Sequence, residues 1–159
     1  AQQSAPLEVY VRAVVQRVTS ARVAVDGLII GEIGLGLLVL LGAACSDDQD
    51  DVDYVVRKFL GLRIFQNSDG KMDLSVDEVD GAVMVVSQFT LYGDVRKGRR
   101  PSFDEAAPPE SARPLYDSVI EGIRDAGVKV ATGEFGAMMD VSLVNNGPVT
   151  LLLDSAKQF

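Results

Sequence analysis

Val83-Met84-Val85-Val86-Ser87-Gln88-Phe89-Thr90-Leu91-Tyr92-Gly93-Asp94 is the stretch whose reading decides the fold. Its first four residues form an unbroken apolar run rich in β-branched side chains, the pattern of a strand buried on both faces. Ser87, Gln88 and Thr90 then stand at the tip of that strand, and Gly93-Asp94 supplies turn chemistry beyond them. Polar groups carried just past a rigid buried strand are held well enough to make a site. The same hydroxyls would serve equally to cap backbone groups at a strand end. Residue types alone leave both readings open.

Outward from this stretch, strands and helices alternate. Val9 to Val18 is expected to be a strand. Arg22–Val25 and Leu28–Ile30 flank Asp26-Gly27, a strong two-residue hairpin signal. Gly31 to Gly36 reads as a turn and Leu37 to Leu41 as a fully buried strand. Gly34 and Gly36 do not form a dinucleotide loop, because they precede a strand instead of opening a helix. Ser46 to Asp53 is acidic, but it lacks the glycine and glutamate that a calcium loop needs at its sixth and twelfth positions. Ser46 or Asp47 is expected to cap a helix whose apolar stripe is Val52, Val55, Val56, Phe59 and Leu60. Leu62 to Phe65 is a short strand, Asn67 to Gly70 a turn, and Met72, Leu74 and Val76 alternate after it. A cap is expected near Ser111. A second helix then carries Leu115, Tyr116, Val119, Ile120 and Ile123 and stops at Gly127. Val128–Ala131, Met138–Val144 and Val149–Leu153 are read as strands, with Asn145-Asn146-Gly147-Pro148 turning between the last two.

Composition narrows the chemistry. The 159 residues and 17.0 kDa suit one domain with a sizeable core. No stretch approaches the roughly 20 apolar residues needed to span a bilayer, and no secretory signal pattern is present. The single Cys45 can form no internal disulfide, so a reducing cytoplasm is the default and a buried, inert thiol the expected role. The chain has no histidine. A Ser-His or Cys-His pair and a Cys/His zinc site are therefore both excluded within it. Any hydrolysis must draw on backbone dipoles, carboxylates, lysine, bound water or the substrate. A formal net charge of −8 argues against extended, nonspecific nucleic-acid binding. The concentrated basic patch is Arg96-Lys97-Gly98-Arg99-Arg100, a loop by its Gly98 and Pro101. It is either a solvated charged loop or a phosphate contact.

Four segments together resemble the D-aminoacyl-tRNA deacylase family: Gln16-Arg17-Val18, Ser87-Gln88-Phe89-Thr90-Leu91, Lys97-Gly98-Arg99-Arg100-Pro101-Ser102-Phe103, and Val144-Asn145-Asn146-Gly147-Pro148-Val149-Thr150. The resemblance runs from about Val11 to Leu153. Residues 1–10 fall outside it and are expected to be a disordered extension or an expression remnant, leaving 11–159 as a single domain. It implies an α/β fold, a three-layer β/β/α sandwich with two main helices, homodimeric, with active sites at the subunit interface. It implies hydrolysis of the ester joining a D-amino acid or glycine to the 3′-terminal adenosine of tRNA, without metal or cofactor, in the cytoplasm. Ser87, Gln88, Phe89 and Thr90 would line the pocket for the aminoacyl-adenosine. Gly147-Pro148, with a cis bond and steadied by Arg17, would reach into the other subunit's site and reject L-amino acids. Lys97, Arg99 and Arg100 would contact the RNA. A threonine nucleophile needs a base that the motif does not contain. Activation of water by the neighbouring ribose hydroxyl is therefore preferred to covalent catalysis by Thr90. A noncatalytic binder of RNA 3′ ends and a dimeric interaction protein are the alternatives from other classes.

Overall fold

In the structure, a computed structural model, residues 11–44, 48–157 and 159 are described. The readings of residues 1–10 as an extension and of Cys45 as a buried thiol lie outside those residues, as do the proposed caps Ser46 and Asp47. Along the chain run β1 (Arg12–Val25), β2 (Leu28–Ile33), β3 (Gly36–Gly42), α1 (Gln49–Gly61), β4 (Phe65–Gln66) and β5 (Met72–Leu74). They are followed by β6 (Ala82–Ser87), α2 (Pro109–Asp125), β7 (Lys129–Thr132) and β8 (Asp140–Asp154).

The main sheet is mixed. Its order is β2-β1-β3-β6-β7, with β8 on the other edge of β1. The β3–β6 and β6–β7 pairs are parallel, a pairing that requires crossover connections, here carrying α1 and α2. The pairs β1–β2, β1–β3 and β1–β8 are antiparallel. The Asp26-Gly27 signal is sound: φ is 49° and 79° at the two residues, and Val25 pairs with Leu28 across them, the left-handed geometry of a tight hairpin.

Alternation along the central strands sorts their side chains into two cores. Leu37, Val39, Leu41, Val83 and Val85 face α1 and α2, meeting Val52, Val55, Phe59, Val119 and Ile123. Leu38, Met84 and Val86 face away and are covered by Val18, Ala21, Val23 and Ile33. The far half of β1 and β2 thus fold back over the sheet.

Several boundaries differ from expectation. The two N-terminal strand segments are one strand, Arg12–Val25. β2 runs on through Gly31 to Ile33, because Gly31 is a close-approach site and not a turn: a Cβ there would lie 2.4 Å from the Thr132 carbonyl. The α1 cap is Asp48. Its carboxylate accepts from the Asp50 and Asp51 amides while Asp51 returns the bond to the Asp48 amide at 2.9 Å, a reciprocity that depends on the three-residue spacing. α2 begins at Pro109, whose missing N–H costs nothing at a first helical position, so Ser111 lies inside the first turn. The short strand expected over Leu62–Phe65 starts only at Phe65. The segments Met138–Val144 and Val149–Leu153 are one strand, β8, and the residues between them are a bulge, not a turn.

Candidate active site

The site forms where the parallel strands end, as ligand crevices in open α/β sheets do. Ser87 closes β6 opposite Leu41, and the Gln88 amide donates to the Leu41 carbonyl at 2.8 Å. The chain then winds into one 3₁₀ turn, Phe89–Tyr92, earlier than the Gly93-Asp94 stop suggests. Tyr92 anchors that turn. It is buried and its hydroxyl donates to the Gly42 carbonyl at 3.2 Å. Arg12 lies over the Tyr92 ring at 4.9 Å and donates to the Leu91 carbonyl at 3.3 Å. The strand-end residues are therefore held from beneath while their upper side is open.

That side faces a cavity of about 820 Å³. One wall is Ser87, Gln88, Phe89 and Thr90. The other is built by α2, through Pro109, Ala112, Leu115 and Tyr116, and by the segment after β7, through Phe135, Met138 and Met139. The sequence reading missed this second wall. Leu115 and Tyr116 were legible only as a helix stripe, and no local signal aims Phe135 or Met139 at Ser87.

The cavity carries no Asp, Glu, Lys or Arg among its lining residues. Its titratable lining residue, Tyr116, is pushed up to about 12, by burial first and by the nearby Asp117 charge second. The Tyr116 hydroxyl donates to the Val85 carbonyl at 2.7 Å. No lining side chain can act as a general base near neutral pH. Thr90 Oγ1 accepts a hydrogen bond from Gln88 Nε2. The amides of Phe89 and Thr90 have no hydrogen-bond partner among the described residues, as befits the first positions of a helical turn.

Beside the cavity, Asp94 and Ser102 exchange backbone hydrogen bonds of 2.7 and 2.9 Å, which close the basic loop 95–101. Arg96 is engaged. Its guanidinium reaches Asp94 at 2.7 and 2.9 Å and holds that carboxyl well below the usual carboxylate range. Lys97, Arg99 and Arg100 are exposed, and none has an ion-pair partner among the described residues. Phe103, just past the loop, meets Phe89 edge to face at 5.1 Å. The loop is thereby tied to the cavity's lip.

Gly147 and Pro148 lie elsewhere on the chain. Asn145 pairs with Val18 and Thr150 with Gln16, so residues 146–149 stand opposite Arg17 alone. Residues 146–148 are exposed, and the Gly147-Pro148 bond is cis. Arg17 is 5% exposed; its Nε donates to the Asn146 carbonyl at 2.9 Å and its Nη1 to the Ile64 carbonyl at 2.7 Å. None of these residues lines the cavity of their own chain.

The sequence model described as D-Tyr-tRNA(Tyr) deacylase matches residues 14–154. The chain belongs to that family. It is 61% identical over 144 residues to the D-aminoacyl-tRNA deacylase of Desulfatibacillum aliphaticivorans, covering 91% of this chain and 99% of the relative. It is 55% identical over 148 residues to that of Thermosipho africanus (strain TCF52B), covering 93% and 99%. Among solved structures, the c-Myc DNA Unwinding Element Binding Protein superposes with a TM-score of 0.84 at 43% identity, over 89% of this chain and 97% of that one. A probable eukaryotic D-amino acid tRNA deacylase superposes with a TM-score of 0.79 over 92% and 100%. At 20% identity that second likeness speaks to the fold alone. Membership of the deacylase family makes the chain a hydrolase, and the α/β fold with a mixed sheet and two helices agrees with these structures. No helix among the described residues is long and apolar enough to cross a membrane.

Proposed function

We propose that this deacylase hydrolyses the ester joining a D-amino acid, or glycine, to the 3′-terminal adenosine of tRNA, and that it works as a homodimer in the cytoplasm. The observation that carries the reading is a hydrolase cavity lined by no side-chain base. A pocket of that kind needs a substrate that brings its own catalytic group. An aminoacyl ester of ribose does so, since its adjacent 2′-hydroxyl can orient or activate water. The protein's part is position and electrostatics. The terminal adenosine and its ester enter between Ser87–Thr90 and the α2 wall. The unpartnered amides of Phe89 and Thr90 face the developing oxyanion. Lys97, Arg99 and Arg100 take the RNA phosphates, which the uncharged cavity cannot hold.

Selection by handedness comes from the second subunit, in an assembly of three-layer β/β/α protomers. Gly147 and Pro148 project from the edge strand β8, exposed and away from their own cavity. In this reading they enter the partner's cavity, where the proline ring and the glycine carbonyl form a wall that an L side chain would strike. Glycine and D residues avoid it. Specificity then rests on exclusion and not on grip. The deciding experiment offers D-Tyr-tRNA and L-Tyr-tRNA to the protein: D-ester cleavage with L-ester sparing is expected. Equal rates, or an uncut D ester, overturn the reading.

A further inference from the structure

We infer that Asn145 is the positioning residue that sets the shape of the Gly147-Pro148 projection and, through it, the D/L selectivity of the site. The inference rests on the proposed role of that projection and adds to it the residue that holds it. Where residues 146–149 leave the β1–β8 ladder, no strand backbone is available to close the neck of the bulge. The Asn145 side chain takes that place. Its Oδ1 accepts from the Val149 amide at 2.8 Å, and its Nδ2 donates to the Val149 carbonyl at 3.2 Å. A side-chain amide thus reproduces the two-way exchange of an antiparallel backbone pair. The donor and acceptor on Val149 also fix which way the amide points. The same Nδ2 reaches Thr150 Oγ1 at 3.1 Å, and Thr150 receives Gln16 Nε2 at 3.4 Å. On the opposite side Arg17 holds the Asn146 carbonyl. Gly147 and Pro148 are therefore suspended between two fixed points, one on each flank.

Of the bulge residues, only Val149 is buried in the core of its own chain. The bulge contributes no buried apolar surface at residues 146–148, and it is one of two register shifts in the β1–β8 ladder. Exclusion by shape, in contrast, requires the wall to be placed to within about 0.5 Å. Asn is the residue type that serves here. Aspartate keeps the acceptor for the Val149 amide but turns a charge toward the Val149 carbonyl, and alanine removes both bonds.

The test compares Asn145→Ala, Asn145→Asp and Val55→Ala in the full chain. Val55 is fully buried on the core face of α1 and lines neither the cavity nor the bulge, so it controls for lost stability. For each, kcat/KM is measured on D-Tyr-tRNA and L-Tyr-tRNA, and exchange of the Val149 amide is followed by NMR. Expected are a fall in the D/L ratio of about tenfold or more in both Asn145 variants, driven by faster L cleavage, and an unchanged ratio in Val55→Ala. Val149 is protected in the parent and exposed in Asn145→Ala. Should one Asn145 variant fail to fold, the other variant and the parent's Val149 protection still decide. An unchanged ratio, D and L rates falling in parallel, or an unprotected Val149 in the parent overturns the inference. A parent that does not discriminate D from L refutes the proposed function itself, before Asn145 is in question.

Discussion

Gly147→Ala probes the projection most directly. Gly147 has φ of +141°, a region that residues with a Cβ rarely enter. A Cβ built there would lie 2.8 Å from Val149 Cγ2, 3.0 Å from Arg17 Nη2 and 3.1 Å from the Val149 amide. The conformational cost alone is about 1–3 kcal/mol. Relief must come from the bulge, because Arg17 is buried and pinned to the Ile64 carbonyl while residues 146–148 are exposed. The chain therefore moves at 146–148 instead of unfolding. The expected loss of global stability is about 1–2 kcal/mol, at the lower end of the conformational cost. On the proposed role of the projection, a displaced wall no longer meets an L side chain squarely. If about 1.4 kcal/mol of the exclusion is lost, the D/L ratio of kcat/KM falls about tenfold. Urea denaturation gives the stability term, and deacylation of D-Tyr-tRNA and L-Tyr-tRNA under single-turnover conditions gives the ratio. A variant with the expected stability loss and an intact ratio would show that the projection is not the selector.

Thr90→Ala should keep kcat within about tenfold, against the 10⁴-fold or larger loss expected of a missing nucleophile. A substrate ending in 2′-deoxyadenosine, with the ester on the 3′ oxygen, should slow about 10²–10⁴-fold; the reverse pattern would restore Thr90 as the catalytic group. Replacing Arg99 and Arg100 together by Gln should raise KM with kcat kept and flatten the dependence of log KM on log salt by roughly 0.7–0.9 per lost phosphate contact. An unaltered salt slope would remove the loop from RNA binding. Tyr116 titrates near 12 in the fold against an ordinary 10.0, so its neutral form stabilises the protein fully below pH 10. That stability, about 2 kcal/mol, is lost as pH rises toward 12, and Tyr116→Phe should flatten this part of the stability–pH curve in chemical denaturation.

Local signals carried much of the architecture. The Asp26-Gly27 hairpin, the buried run Val83–Val86 and the helix stripes read correctly because each depends on neighbours in sequence. Signals that answer to distant partners misread. Gly31 looks like a turn residue and is a glycine because β7 passes over it. Asn145 to Pro148 has every local mark of a hairpin turn, and only the register against β1 makes it a bulge within one strand. At the start of α1 the cap is Asp48, which Asp51 answers from three residues on. The Ser87–Thr90 wall was legible as a motif. The facing wall of α2 and Phe135–Met139 was not, since it comes from elements that only the parallel crossover brings alongside.

The distribution of charge explains why these parts are kept apart. A carboxylate or lysine placed in the cavity would have to be stripped of water, at a desolvation cost that neutral groups largely avoid. Lined by neutral groups, the cavity strengthens whatever hydrogen-bond donors it presents to a developing anion; in the proposed mechanism the reactive hydroxyl is the substrate's own. Cations are still needed for an RNA end, and a protein of net charge −8 does not attract one through its overall field. Lys97, Arg99 and Arg100 therefore stand outside the cavity on a closed loop, connected to its lip by the Phe103–Phe89 contact. There they are exposed to solvent, and in the proposed complex RNA phosphates would replace that water. On the proposed reading, a selector on a different strand has its shape held by Asn145 and Arg17 without adding a charged group to the lining of its own cavity.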